Sequence, residues 1–372
     1  MSASQLHRAP EALRRHSIGH VHLATPLAAD AGRRPLADKA GHAVVMGRIT
    51  PGKGQHLAAR LAHEHGFDLV LAGPVGPHRQ PTDLAAAALA PGAPPVLHTL
   101  HWDLRKHADF YSSLDAGPRV RVNGVSASQL NQAPEALRRH SVGHVHLATP
   151  LAVGADRRPP AEKAGHTVVM GRITPGKGQH LAARLAHEGG FDLVLAGPVG
   201  PYRQPADLTA AGGAAAANPD VRYWEDEVRP LVDGIRVRWI GTVAGQERNS
   251  LVASARVALF PLQWEEPGGT AVVEALALGT PAVGLSRGCL PELVDHGRTG
   301  WLAKSPDDLA ALVQAASRID PRECREQAAR RFTPAVMAAR YADLYEQLIS
   351  GFVPRAAEKA VPDLPDRVPS PR

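Results

Sequence analysis

Residues 264–281 read WEEPGGTAVVEALALGTP, and this order of residue types decides what the rest of the chain must build. Pro267 holds Glu266, the residue before it, in extended geometry. Gly268 and Gly269 let a backbone pass close to a ligand. Thr270 has the chemistry of an N-cap, and Ala271 to Leu278 reads as a helix that stops at Gly279 ahead of Pro281. A glycine turn opening a helix offers free N–H groups and the positive end of a dipole, which suits phosphate. The spacing predicts Glu266 on the loop at the mouth of a site and Glu274 in the first turn of the helix. An anion site with two carboxylate acceptors for hydroxyl groups beside it points to a sugar nucleotide.

Working outward, VALFPLQW (257–264) and PAVGLS (281–286) flank the motif as strands, and VRWIGTV (237–243) precedes it as another. Residues 247–256, 306–318 and 334–349 read as helices, Thr209 to Asn218 as an Ala/Gly loop, and the Pro-rich tail from Gly351 as disordered. Further upstream, GRITPGKG (171–178) has P-loop spacing from Gly171 to Lys177, but position 178 is Gly where a P-loop needs a hydroxyl for magnesium. That argues against an ATPase. Two readings of the segment remain. Arg172 and Lys177 form a paired clamp for a diphosphate, or Gly176 and Gly178 only shape a strand-to-helix turn with both cations solvated.

The same GRITPGKG occurs at 47–54, because residues 2–84 recur at 126–208 with 12 differences in 83 aligned positions. Such identity reads as a recent tandem duplication and not as a solenoid. Each copy runs HVHLATP (from His20 and His144, strand), VVMGRI (from Val44 and Val168, strand), GKGQHLAARLAHE (helix) and FDLVLAGPV (from Phe67 and Phe191, strand). This β-α-β order predicts parallel strands. Between the copies lie an Ala/Pro/Gly linker (85–93), the strand PPVLHTLHW (94–102), a helix (103–114) and the strand RVRVNGVS (119–126).

Composition is that of a globular protein, with 44% hydrophobic and 21% charged residues among 372. A formal charge of +6 favours an anionic partner, yet no basic run is interleaved with aromatics, so nucleic acid is not expected. Two cysteines, Cys289 and Cys324, and the lack of a signal-like apolar stretch point to the cytoplasm, with at most peripheral membrane association.

EEPGGTAVVEALALGTPAVGLSRGCLPELVDHGRTGWLA (265–303) closely resembles the C-terminal domain of retaining glycosyltransferases of family 4, which have the GT-B fold. GRITPGKG, DLVLAGPVG, VRWIGTV and ASARVALFPLQWEEP follow in the family's order, and residues 324–348 are similar to its last helices. The resemblance implies that Arg172 and Lys177 bind the donor diphosphate and that Glu266 contacts the donor sugar's hydroxyls. The loop Pro267–Gly268–Gly269–Thr270 would give backbone N–H groups, those of its three non-proline residues, to sugar and phosphate. Glu274 would hold the ribose hydroxyls, and the backbone of Gly241 to Val243 would border the base. His101, in the place of a histidine near the reacting sugar, and Glu266 are the implied catalytic residues. Gly268 departs from the family, where an aromatic generally sits, and this bears on sugar preference.

The expectation is therefore an α/β, GT-B-like chain of two Rossmann-like parallel-sheet domains. Its N-terminal domain is incomplete and rebuilt from a duplicated β-α-β segment. The expected divisions are copy one (1–84, with Arg48 and Lys53 as a vestigial clamp), an acceptor-side remnant (85–150), the nucleotide-sugar domain (151–350) and the tail (351–372). The activity implied is retaining hexosyl transfer from a nucleotide-sugar donor to an acceptor the sequence does not name, without a metal. The alternatives are a catalytically impaired nucleotide-sugar-binding protein and a P-loop-type nucleotidase.

Overall fold

The structure, a computed structural model, describes residues 42–46, 68–72, 96–112 and 120–349. Arg48, Lys53, the helix of copy one, the linker 85–93 and the tail from Gly351 lie outside the described residues. The chain divides into two compact units, one of Met1–His98 with Asp115–Val120 and one of Thr99–Leu114 with Arg121–Arg372. In the first, β1 (His42–Met46) and β2 (Asp68–Ala72) pair in parallel, as the β-α-β reading predicts, with His42 opposite Asp68 and Met46 opposite Ala72.

In chain order there follow β3 (Val96–Thr99), β4 (Val120–Gly124) and β5 (Ser141–His144). Within the second unit β4 and β5 form a parallel ladder, Val122 opposite Ser141 and Gly124 opposite His144. The Leu100 amide donates to the Asn123 carbonyl at 2.8 Å. The main sheet comprises β6 (Thr167–Met170), β7 (Leu193–Ala196), β8 (Val237–Trp239), β9 (Val257–Phe260), β10 (Ala282–Leu285) and β11 (Gly300–Ala303). Its order is β8-β7-β6-β9-β10-β11, parallel throughout. LVLA, VALF and AVGL are buried along their whole length, because a parallel sheet is covered on both faces.

The chain starts this sheet in the middle. It winds outward through β7 and β8, returns to lay β9 beside β6, and winds outward the other way. The reversal between β6 and β9 opens a crevice at their carboxyl ends, the place where such sheets take ligands.

The helices used below are α1 (Ala127–Asn131), α2 (Gln179–Gly189), α3 (Gly245–Ser254), α4 (Thr270–Ala277), α5 (Leu290–Leu293), α6 (Leu309–Ala315), α7 (Pro321–Arg331) and α8 (Pro334–Ile349). α2 buries Leu181, Ala182, Leu185 and Ala186 at helical spacing against the sheet. α8 returns to the smaller ladder, where the Tyr341 hydroxyl lies 3.1 Å from Thr99 Oγ1 and accepts from Asn123 Nδ2 at 3.4 Å.

Several sequence expectations need correction. Thr270 is the first helical residue of α4 and not its N-cap; Gly269, left-handed at φ +59°, takes that place. Its carbonyl accepts from the Val272 and Val273 amides at 2.9 and 3.2 Å. Glu274 accordingly lies in the second turn. HVHLATP is not a strand from His144, which is instead the last residue of β5, and a turn of 3₁₀ helix opens at Pro150 behind Thr149. PPVLHTLHW is extended only over Val96–Thr99. The Ala/Gly stretch after Thr209 is helical: Pro205–Ala211 is capped reciprocally by Gln204 and Asp207, ends at Gly212 with φ +50°, and is followed by a 3₁₀ segment Gly212–Ala217.

Candidate active site

A cavity of about 220 Å³ sits at the carboxyl ends of β6 and β9, lined by Val169 to Gly171, Lys177, Leu259 to Leu262, Glu266 and Gly269 to Val272. The site is thus at the switch point of the sheet, beside the N-terminus of α4. Lys177 and Glu266, 89 residues apart, form an ion pair there with side chains 30% and 16% exposed. The Lys177 ammonium also stands 5.3 Å from the centre of the Trp264 ring. At this depth neither charge is fully hydrated, so each holds the other until a ligand offers both a better partner.

The turn that delivers Lys177 is built by Gly178. Its φ is +70°, and a Cβ would lie 2.0 Å from the Pro261 carbonyl oxygen. No residue with a hydroxyl fits where a P-loop needs one. The Gly176 carbonyl accepts from the Gln263 amide at 2.8 Å, which fastens the turn to the end of β9.

Opposite, the loop after Trp264 is held from below. The Cys289 amide donates to the Glu266 carbonyl at 2.8 Å. Burial, with Glu266 and Glu292 nearby, pushes the Cys289 thiol well up, so it is a neutral packing group and not a nucleophile. Gly268 is buried, and a Cβ there would meet Leu147 Cδ1 at 2.6 Å. Leu147 occupies the room that a larger residue at 268 would need. Among the described residues no acceptor takes the Thr270 or Ala271 amides, which leaves two backbone donors at the mouth of the cavity.

The other expected residues are distributed around this centre. Arg172 is exposed at the start of the turn and does not line the cavity. Its carbonyl accepts from Gln179 Nε2 at 2.9 Å. Glu274 forms an ion pair with Arg248 on α3, both about a fifth exposed. Gly241, at φ +72°, carries the loop after β8; its carbonyl accepts from Gly197 N at 2.7 Å, and Val243 is half-buried close by. His101 follows β3, its imidazole lowered by loss of hydration. Four residues on, Arg105 is raised first by its hydrogen bond to Asp103, with Glu265 adding to the effect, so this segment faces the WEEPGG loop.

Sequence reasoning missed Arg248, for which no local signal exists, since its partner lies 26 positions away. It missed Trp264 as a platform for Lys177, although the residue stands in the motif itself. It also missed Leu147, which only the approach of the smaller ladder reveals. Among the described residues no helix is long and apolar enough to cross a membrane.

Residues 156–331 match the family described as Glycosyl transferases group 1. An uncharacterized glycosyltransferase of Methanocaldococcus jannaschii is 36% identical over 131 residues, 34% of this chain and 32% of its own length. A D-inositol 3-phosphate glycosyltransferase of Saccharomonospora viridis is 29% identical over 299 residues, 72% of this chain and 68% of that protein. Across the first of these relatives the match spans only about a third of their length. Among solved structures, sucrose-phosphate synthase from Thermosynechococcus elongatus superimposes with a TM-score of 0.56 at 21% identity, over 81% of this chain and 78% of its own. The Anabaena protein HepE in complex with UDP-glucose gives 0.54 at 18% identity, over 79% and 83%. At those identities the likeness is one of fold. Sheet order, crevice and sequence agree: the chain has a GT-B-type α/β fold, and its residues 156–331 are similar to the family described as Glycosyl transferases group 1.

Proposed function

We propose that the chain is a retaining glycosyltransferase that moves a hexose from a nucleotide-diphosphate donor to an acceptor, without a metal and in the cytoplasm. The observation that carries this reading is the pairing of Lys177 with Glu266 in the switch-point cavity, beside the free Thr270 and Ala271 amides. A donor entering there exchanges the pair: the diphosphate takes Lys177, and the sugar hydroxyls take Glu266. Arg172 closes on the phosphates from the exposed side. The amides of Gly268, Gly269 and Thr270, which follow Pro267 in the loop, add neutral donors, which stabilise the leaving diphosphate as charge develops on it. Glu274, oriented by Arg248, receives the ribose hydroxyls, and the Gly241–Val243 backbone borders the base. His101, exposed just past β3, approaches the reacting sugar from the smaller ladder. That HepE was captured with UDP-glucose, and that relatives bear the name D-inositol 3-phosphate glycosyltransferase, supports a nucleotide-sugar donor.

A P-loop nucleotidase is disfavoured by the fit at Gly178. A second reading, donor binding without transfer, is favoured by the sequence repeat, which we infer to be a duplication filling the place of an acceptor half. The test is a thermal-shift titration with UDP-, GDP- and ADP-sugars on wild type and Glu274→Ala, followed by acceptor-dependent transfer. Ligand at a hundred times its dissociation constant stabilises by about 2.7 kcal/mol. A shift with one donor that is lost in Glu274→Ala supports the site, and transfer then separates the enzyme from the binding protein. A cooperatively folded chain that responds to none of the donors overturns both readings.

A further inference from the structure

Away from the Lys177–Glu266 cavity, His144, His146 and Glu292 bring three ligand-type atoms within 4.8 Å of one another. His146 Nε2 lies 2.9 Å, and His144 Nε2 3.7 Å, from the same oxygen, Glu292 Oε2. We propose that these three residues bind a divalent transition-metal ion of the zinc class, with water completing the coordination.

The donor set carries the choice of ion. Two imidazole nitrogens and one carboxylate oxygen suit zinc and its neighbours, whereas magnesium and calcium ask for oxygen shells. In a tetrahedron with bonds of about 2.0–2.2 Å, ligand atoms stand about 3.3–3.6 Å apart. The two measured separations fall on either side of that spacing, so an ion enters with shifts of about half an ångström.

The surroundings hold the ligands in place. Glu292 Oε1 accepts from the Ser128 amide at 2.7 Å and Oε2 from the Ala127 amide at 2.9 Å, outer contacts of the kind that orient a metal-bound carboxylate. His144 ends β5 and His146 follows two residues later, a spacing that sets both rings on one side of an extended chain. The His146 ring stands edge-on to Phe332 at 6.3 Å. Arg331 donates to the Glu292 carbonyl and leaves the carboxylate's charge available, while Arg340, near enough to lower His144, tempers the affinity. His144 is 31% exposed, which gives an entry path and room for water.

An ion here joins the segment after β5 to α5. The residues next in sequence, Leu147 and Leu293, are those lying under Gly268 and Gly269. Metal binding therefore stiffens the floor of the WEEPGG loop without touching a ligand in the cavity.

The test is calorimetric titration of the chelator-stripped full chain with zinc chloride, and the absorption spectrum of the cobalt-substituted protein. The expected result is one zinc per chain, a tetrahedral cobalt spectrum, and binding weakened about tenfold or more in His144→Ala and in His146→Ala. Among the described residues His144 makes the long contact to Glu292 and a ring contact with His146 at 4.8 Å, both weak, so the melting temperature of metal-free His144→Ala stays close to wild type. His187→Ala, on α2, binds zinc as wild type does. No zinc uptake by wild type, uptake unchanged in both variants, or an octahedral cobalt spectrum overturns the proposal.

Discussion

Gly178 and Lys177 are neighbours whose tests pull apart framework and chemistry. Gly178→Ser would restore the P-loop hydroxyl in sequence but forces a side chain onto a left-handed residue against the Pro261 carbonyl. It should cost about 3 kcal/mol, read as a lower urea midpoint at unchanged slope. Lys177→Ala leaves the backbone alone. It should lower transfer kcat/KM by about 10²–10³ at unchanged urea slope, with the midpoint also falling because Glu266 loses its partner, measured with the donor identified by titration. At this scale the sequence was legible where a residue's role is local: Glu266 before Pro267 and the glycine turn were readable. It was illegible where the role needs a distant partner, as for Arg248 with Glu274, or where two residues compete for one job. Thr270 has the better capping side chain, yet Gly269 alone accepts the left-handed geometry that the approach from Pro267 requires.

Among elements, α3 and α4 end against the same cation. Lys163 Nζ donates to the carbonyls of Ala253 and Ala255 at 2.8 and 3.0 Å, to that of Gly279 at 3.0 Å, and to Thr280 Oγ1 at 3.2 Å. A cation at two helix C-termini is favourable, but burial pushes its amine down to about 8 from 10.5. Between those values the unfolded chain binds more protons than the folded one, so this group stabilises the fold increasingly as pH rises through that window. Urea unfolding at about pH 8 and about pH 10 should show wild type gaining stability relative to Lys163→Met. On α8, Tyr341→Phe removes the hydroxyl shared by Thr99 and Asn123 and should cost about 1 kcal/mol by the same measurement. Neither contact was readable from periodicity, which predicts the buried face of a helix but not the end or the neighbour it is tied to.

For the whole molecule, the succession VVM, LVLA, VRW, VALF, AVGL made a parallel α/β sheet readable, because buried parallel strands are apolar throughout. Strand order, with its reversal between β6 and β9, was not readable from that succession, since every apolar strand fits every slot. One consequence concerns time and not equilibrium. β1 pairs with β2 in the register of β6 with β7: Ala43 faces Leu69 as Thr167 faces Leu193, each position offset by 124. Yet among the described residues only β6 has β9 beside it. A refolding chain therefore contains two nearly identical β-α-β candidates for the central slot, and the copy made first is the wrong one. Stopped-flow refolding should show a lagging phase that a double-jump assay separates from proline isomerisation, with its amplitude reduced in Val44→Pro, which disables the decoy.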